Sequence, residues 1–226
     1  INAVTRQAAE GAGQAAAALR AAVTDLAEVE TVRGDVWDDR FIFNRRYWMK
    51  SGGVTTNPGK LNPDILRPEG VVDAEIPLLG FKRQGKLCVL IANVVNHSDT
   101  IGGNGVSGDW PGFCQRTVEA SLGAGSMVMP LIGAAGNINH FDVSTDSNQT
   151  CYAEAERIGR GLATTVLAEL DRLKPACAMP LAVRHIQVPC PGHEFTPEEL
   201  AAAQATVAKY CDLPDVSGCD DLTSED

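Results

Sequence analysis

The chain has 226 residues, enough to bury a sizeable core as one domain or one large piece of a domain. Hydrophobic residues make up 44% and charged residues 21%, the balance of a globular chain and not a disordered one. A net charge of −10, with no basic cluster larger than "NRRYWMK" at Asn44–Lys50, argues against nucleic acid as a partner. The most apolar run, Leu87–Val95, is about half the length that spans a bilayer as a helix.

In chain order, residues 3–29 are rich in Ala, with Leu and Val at helical spacing. This predicts a long helix whose small side chains suit close packing on a sheet. "TVRGDVW", Thr31–Trp37, reads as a strand. Asp38–Pro77 is dotted with Pro and Gly and reads as a long loop, of a kind that is functional or mobile in compact domains. "IPLLGF" and "KLCVLIANVV" flank "KRQG" and predict a β-hairpin. Its second strand is apolar on both faces, as a central strand is. After a glycine-rich loop, Ser107 or Asp109 caps a helix with Pro111 in its first turn, and Gly123 ends it. Ser126–Ile132 reads as another buried strand, residues 151–173 as an amphipathic helix and "LAVRHIQVP" as a strand of alternating polarity. Thr196 and Glu199 form a capping box for a last helix, with Pro197 at its first position. This mixture predicts an α/β layered domain with a mixed β-sheet flanked by helices.

The seven cysteines contain no Cys-x-x-Cys pair, which argues against a zinc ribbon; Cys211 and Cys219 either close a loop or stay free. The chain opens at Ile1 inside a helical pattern and stops in "DDLTSED". Residues 1–226 therefore read as a single partial domain cut at both ends.

Two loops follow the strands predicted to be buried, where open α/β sheets place their sites. The first holds His97, Ser98, Asp99 and Asp109; the second holds Asn137, Asn139, His140 and Asp142. Imidazole with carboxylate suits zinc, and an open coordination position there holds an activated water. Equally, a histidine at a strand end is often bonded only to backbone. Ser98 beside His97 is not a Ser-His pair, because adjacent residues on extended chain point to opposite faces. His185 and His193 read as surface or loop residues. Neither glycine loop carries a phosphate-binding fingerprint.

The order of five segments adds to this: "FNRRY", then "NPDI" with "EGVVDAEIPLLGF", then "NHSDT", "VSGDWPGF" and "GAAGNINH". The series, from about Asn44 to Phe141, resembles the N-terminal catalytic domain of the neutral/alkaline non-lysosomal ceramidase family. That resemblance implies a zinc-dependent hydrolase of N-acyl sphingoid lipids. It implies that His97 is a zinc ligand, and that Arg45 lies near the substrate head group or the developing oxyanion. It also implies a lipid amide substrate, peripheral membrane contact in the full-length protein, and a secreted or periplasmic location. The departures are specific. Family members carry "GDVSPN" where this chain has Gly136–His140, so Asn139 stands at the serine position and Asn137 at the aspartate. An Asn amide cannot act as a serine-like nucleophile but can donate a hydrogen bond to an oxyanion. The family's His-x-His motif and its Glu and Tyr ligands have no counterpart in the chain. A non-catalytic binding module of the same fold is the alternative reading, and it follows from those departures.

Overall fold

The computed structural model describes residues 3–176, 182–192 and 194–210. His193, Cys177, Cys211 and Cys219, and with them the loop closure considered for the last pair, lie outside the described residues. The chain divides into two units, residues 1–179 and 180–226.

The first unit begins with helix α1 (Ala3–Thr24), shorter than the predicted 3–29, and continues into strand β1 (Glu30–Trp37). From Gly11 to Thr24 every residue of α1 is exposed, so the expected packing of its alanines on the sheet is not observed. Alanine propensity is sufficient to form the helix but supplies no tertiary contact. Its attachment lies just past its end, where Arg83 Nη1 donates to Asp25 Oδ2 at 2.9 Å.

The stretch predicted as a long loop instead contains β2 (Phe43–Asn44), β3 (Arg46–Met49), β4 (Val54–Thr56) and β5 (Ile65–Pro68). The last three form a small antiparallel sheet in the order β4-β3-β5. Strands of two to four residues are too short to show a period, which is why the sequence reads as loop. An ion pair from Arg46 to Glu69 holds the two ends of this excursion together.

The hairpin is as predicted: β6 (Glu75–Arg83) and β7 (Lys86–Val94) join through Gln84 and Gly85. These two have φ of 50° and 77°, the left-handed pair that a two-residue primed turn requires. Helix α2 (Asp109–Leu122) then leads to β8 (Met127–Ile132), which lies parallel to β7. Short β9 (Ile138–Asn139) pairs with β2. Helix α3 (Tyr152–Leu167) ends earlier than the predicted 173, and β10 (Lys174–Pro175) closes the unit beside β1. The main sheet runs β10-β1-β6-β7-β8, antiparallel except for β7 with β8. This is the predicted α/β layered arrangement with a mixed sheet.

Helices α2 and α3 cover one face. Trp110, Cys114, Val118, Ile158 and Leu162 pack there with Val32, Ile76, Leu78, Leu90 and Val94. Strand β7 is central, as its two-sided apolarity predicts. Strand β8, expected to be buried, is an edge strand with Met127, Met129 and Leu131 exposed; its apolar run does not reveal that no strand follows it.

In the second unit, α4 (Pro197–Tyr210) starts with the predicted capping box: Thr196 N donates to Glu199 Oε2 at 2.8 Å, and Glu199 N donates to Thr196 Oγ1 at 3.2 Å. The strand expected over 181–189 does not form across its described part, and Val183, Ile186 and Val188 are exposed. Alternating polarity makes a strand only where a neighbour pairs with it. His185 is exposed there, in keeping with its surface reading.

Candidate functional site

Strands β7 and β8 are parallel neighbours, so the loops that leave their C-terminal ends emerge side by side. A second small core, with Ile42, Ala74, Val95, Ala135 and Ile138 buried, supports both loops from below. The two His-x-Asp motifs therefore meet, but by a crossed pairing that their spacing does not disclose. His140, fully buried, places Nδ1 3.1 Å from Asp99 Oδ1 and Nε2 2.8 Å from the Gln149 carbonyl. A carbonyl only accepts, so Nε2 carries a hydrogen, and Nδ1 is turned to a carboxylate. Both ring nitrogens are thus engaged, which makes His140 the bolt between the loops. The hydrogen bond to His140 is the main reason that Asp99 sits below the usual carboxylate range. The nearby charges of His140 and His97 act in the same direction, and burial opposes them.

His97 occupies the end of β7 in a different condition. Its carbonyl accepts the Trp110 Nε1 hydrogen at 2.8 Å, so the first turn of α2 fixes its backbone. Its Nδ1 is buried and has no hydrogen-bond partner among the described residues. Two neighbours share that condition, Asn96 at Oδ1 and Thr100 at Oγ1, both in residues that are fully buried. Three unpaired buried polar atoms within five residues are unusual, because each costs about 1–3 kcal/mol when left unmade. Asp109 holds the far end of the same loop. Its Oδ2 accepts the Ile101 N–H at 2.9 Å and its Oδ1 accepts the Trp110 N–H at 2.6 Å. Asp109 does this from a left-handed backbone with φ of 47°, and its own N–H is accepted by Ser107 Oγ at 3.0 Å. Both residues thus work at the helix start, as expected.

Arg45 and Asn139 lie together in a pocket of about 200 Å³, whose lining also includes Tyr47, Asn57, Lys60 and Phe141. Arg45 Nε donates to the Gly136 carbonyl at 3.0 Å, and its backbone N–H donates to the Asn137 carbonyl at 2.8 Å. The excursion containing β3 is in this way laced to the second loop. Asn139 is buried, with Nδ2 donating to Asn57 Oδ1 at 3.0 Å and Oδ1 accepting the Phe141 N–H at 3.0 Å. One Nδ2 hydrogen remains uncommitted. Burial pushes the Tyr47 phenol upward, with the charge of Asp142 adding to it, so Tyr47 stays a neutral hydroxyl. His97 does not line this pocket. The connection runs through the chain step from Asn139 to His140 and across to Asp99.

Sequence reasoning did not anticipate Asn57, Lys60 and Tyr47, because the excursion that carries them reads as loop. A larger cleft, about 500 Å³, lies beside β1, β6 and β10 and is lined by charged residues of both signs, including Arg33, Asp35, Glu75 and Arg172. It contains none of the predicted site residues.

Among the described residues, no three of His, Cys, Asp or Glu gather closely enough to hold a metal ion. His97 suits a single ligand, since its buried Nδ1 is free of a competing bond. No protein-family model matches the chain, and no curated protein matches it. Among solved structures it is similar to neutral ceramidase from Pseudomonas aeruginosa, with a TM-score of 0.46 and 18% identity over 62% of this chain. It is similar also to a ceramidase complexed with C2, with a TM-score of 0.47 and 18% identity over 62% of this chain. The matched part spans 22% of each ceramidase chain.

Proposed function

We propose that this chain supplies part of the active site of a zinc-dependent, ceramidase-like hydrolase of N-acyl amides, splitting an N-acyl sphingoid lipid into base and fatty acid. The observation that carries the reading is the unpaired, buried Nδ1 of His97 at the C-terminal end of β7, in the position that the ordered motifs assign to a zinc ligand. Residues beyond the described ones supply the other ligands. Zinc, when bound, would polarise the amide carbonyl and activate water.

The chain's own residues have separate tasks in this reading. Arg45 presents a guanidinium to the pocket, held by its Nε bond to the Gly136 carbonyl, and offers its remaining donors to the head group or to developing negative charge. Asn139 offers its uncommitted Nδ2 hydrogen to the same charge. The Asp99–His140 pair orients the two loops and does no chemistry. The apolar walls given by Tyr47 and Phe141 suit the lipid portion of the substrate.

The test is the zinc content of the protein expressed with its flanking sequence, beside His97→Ala, together with hydrolysis of a fluorogenic N-acyl sphingoid. About one zinc per chain, lost with activity in the variant, is the expected result. Full metal retention in His97→Ala overturns the ligand assignment. Absence of zinc from the wild-type protein favours the second reading, a non-catalytic binding module. The structural engagement of the Asn139 amide with Asn57 and Phe141 is the observation on that side.

A further inference from the structure

The main sheet has a second face, turned away from α2 and α3, and its side chains fall into cross-strand rows. Phe81 stands opposite Val89, which stands opposite Met127. Leu79, Ile91 and Met129 form the next row. Leu131 continues the stripe along β8. Of these, Leu79, Met127, Met129 and Leu131 are 37%, 54%, 43% and 41% exposed. A contiguous apolar surface of this kind on a sheet marks a place that another layer covers.

The same unit carries an unpartnered helix. Along α1, Ala12, Ala15, Leu19, Ala22 and Val23 recur at the spacing that puts them on one face, while Gln14, Arg20 and Thr24 lie on the other. Leu19 and Val23 are 68% and 60% exposed. The alanines leave room for a close approach, and the projecting Leu, Ile and Met side chains of the sheet rows are what such a stripe accommodates.

Three features favour this helix as the occupant over any other. Its end is already pinned to the sheet: Arg83, the last residue of β6, donates to both the carboxylate and the carbonyl of Asp25. Its lengths agree, since 22 helical residues at 1.5 Å each cover about 33 Å and nine strand residues about 30 Å. The link from Asp25 to Val29 reaches up to about 17 Å, more than one helix diameter, so it permits the helix to lie over the face. We propose that α1 docks its Ala12–Leu19–Val23 stripe onto the β6-β7-β8 face, completing a three-layer α/β/α unit. Docking covers the rear of β7 and β8, the two strands that present His97 and the second loop.

Hydrogen–deuterium exchange of the whole chain tests this. Docked, the amides of residues 11–24 exchange about 100-fold or more slowly than those of a free helix. Met129→Asp on the sheet and Leu19→Asp on the helix should each remove about ten-fold or more of that protection, with the α3 amides unchanged to show that the core persists. Free-helix exchange in the wild type overturns the proposal, as does protection indifferent to both variants. Protection that rises with protein concentration also overturns it, because the face is then covered by a second copy.

Discussion

Gly159 lies where α3 crosses α2, and Gly159→Ala puts this crossing to a direct test. A Cβ there would stand 2.5 Å from Trp110 O, 2.5 Å from Phe113 Cβ and 2.9 Å from Cys114 N. Carbon contacts are comfortable at about 3.5–4.0 Å, so the two helices must separate by about 1 Å. Two of the three atoms are backbone, and no rotamer change moves them. The surrounding core, Trp110, Cys114, Ile158 and Leu162, is fully buried, and a gap of that size forfeits about a quarter to a half of each dispersion contact. Overpacking of this kind costs about 3 kcal/mol, and the better helix propensity of alanine returns about 1 kcal/mol. The expected net loss of about 2 kcal/mol lowers Tm by about 4–8 °C in a unit of this size. Thermal unfolding followed by circular dichroism measures it. Gly13→Ala in α1, where a Cβ meets nothing within 4 Å, is the matched control and should not lower Tm. An unchanged or raised Tm for Gly159→Ala refutes the crossing. The consequence reaches the site, because Trp110 is the donor that holds the His97 carbonyl.

Other expectations concern charge and unpaired groups. Burial raises the Asp38 carboxyl, but hydrogen bonds from Arg40 and Thr165 outweigh it and hold the group below its usual value. Asp99 is also held low, chiefly by His140. Carboxyls depressed by folding stabilise the protein above their unfolded value, and that stabilisation is lost as pH falls through the folded one. Urea midpoints should therefore be flat near neutrality and fall below about pH 3.8, with Asp38→Asn costing about 2 kcal/mol at pH 7. A midpoint for Asp38→Asn equal to the wild type at pH 7 would contradict the clamp between Asp38, Arg40 and α3. Thr100→Val removes a buried hydroxyl with no partner among the described residues, so it should raise stability by about 1 kcal/mol in chemical denaturation. A loss of similar size would show that the hydroxyl has a partner.

The sequence by itself determined the hairpin, the helices α2 and α3, the capping box of α4 and the α/β class. Each of these is written in local terms: period, turn residues and caps within a few positions of one another. It also marked the two loops after β7 and β8, because an apolar run that stops at a polar, glycine-rich stretch is local too. Tertiary structure decided the rest. Whether Ser126–Ile132 became a central or an edge strand depended on neighbours, and so did the fate of the alternation over 181–189. The excursion over 38–77 became a sheet because β3 found partners on both sides, and that brought Arg45 to Asn139. Asp99 found His140 across 41 positions, while His97, equally polar, was left with a bare nitrogen. A side chain's partner is set by where the chain returns in space, and no short pattern encodes that.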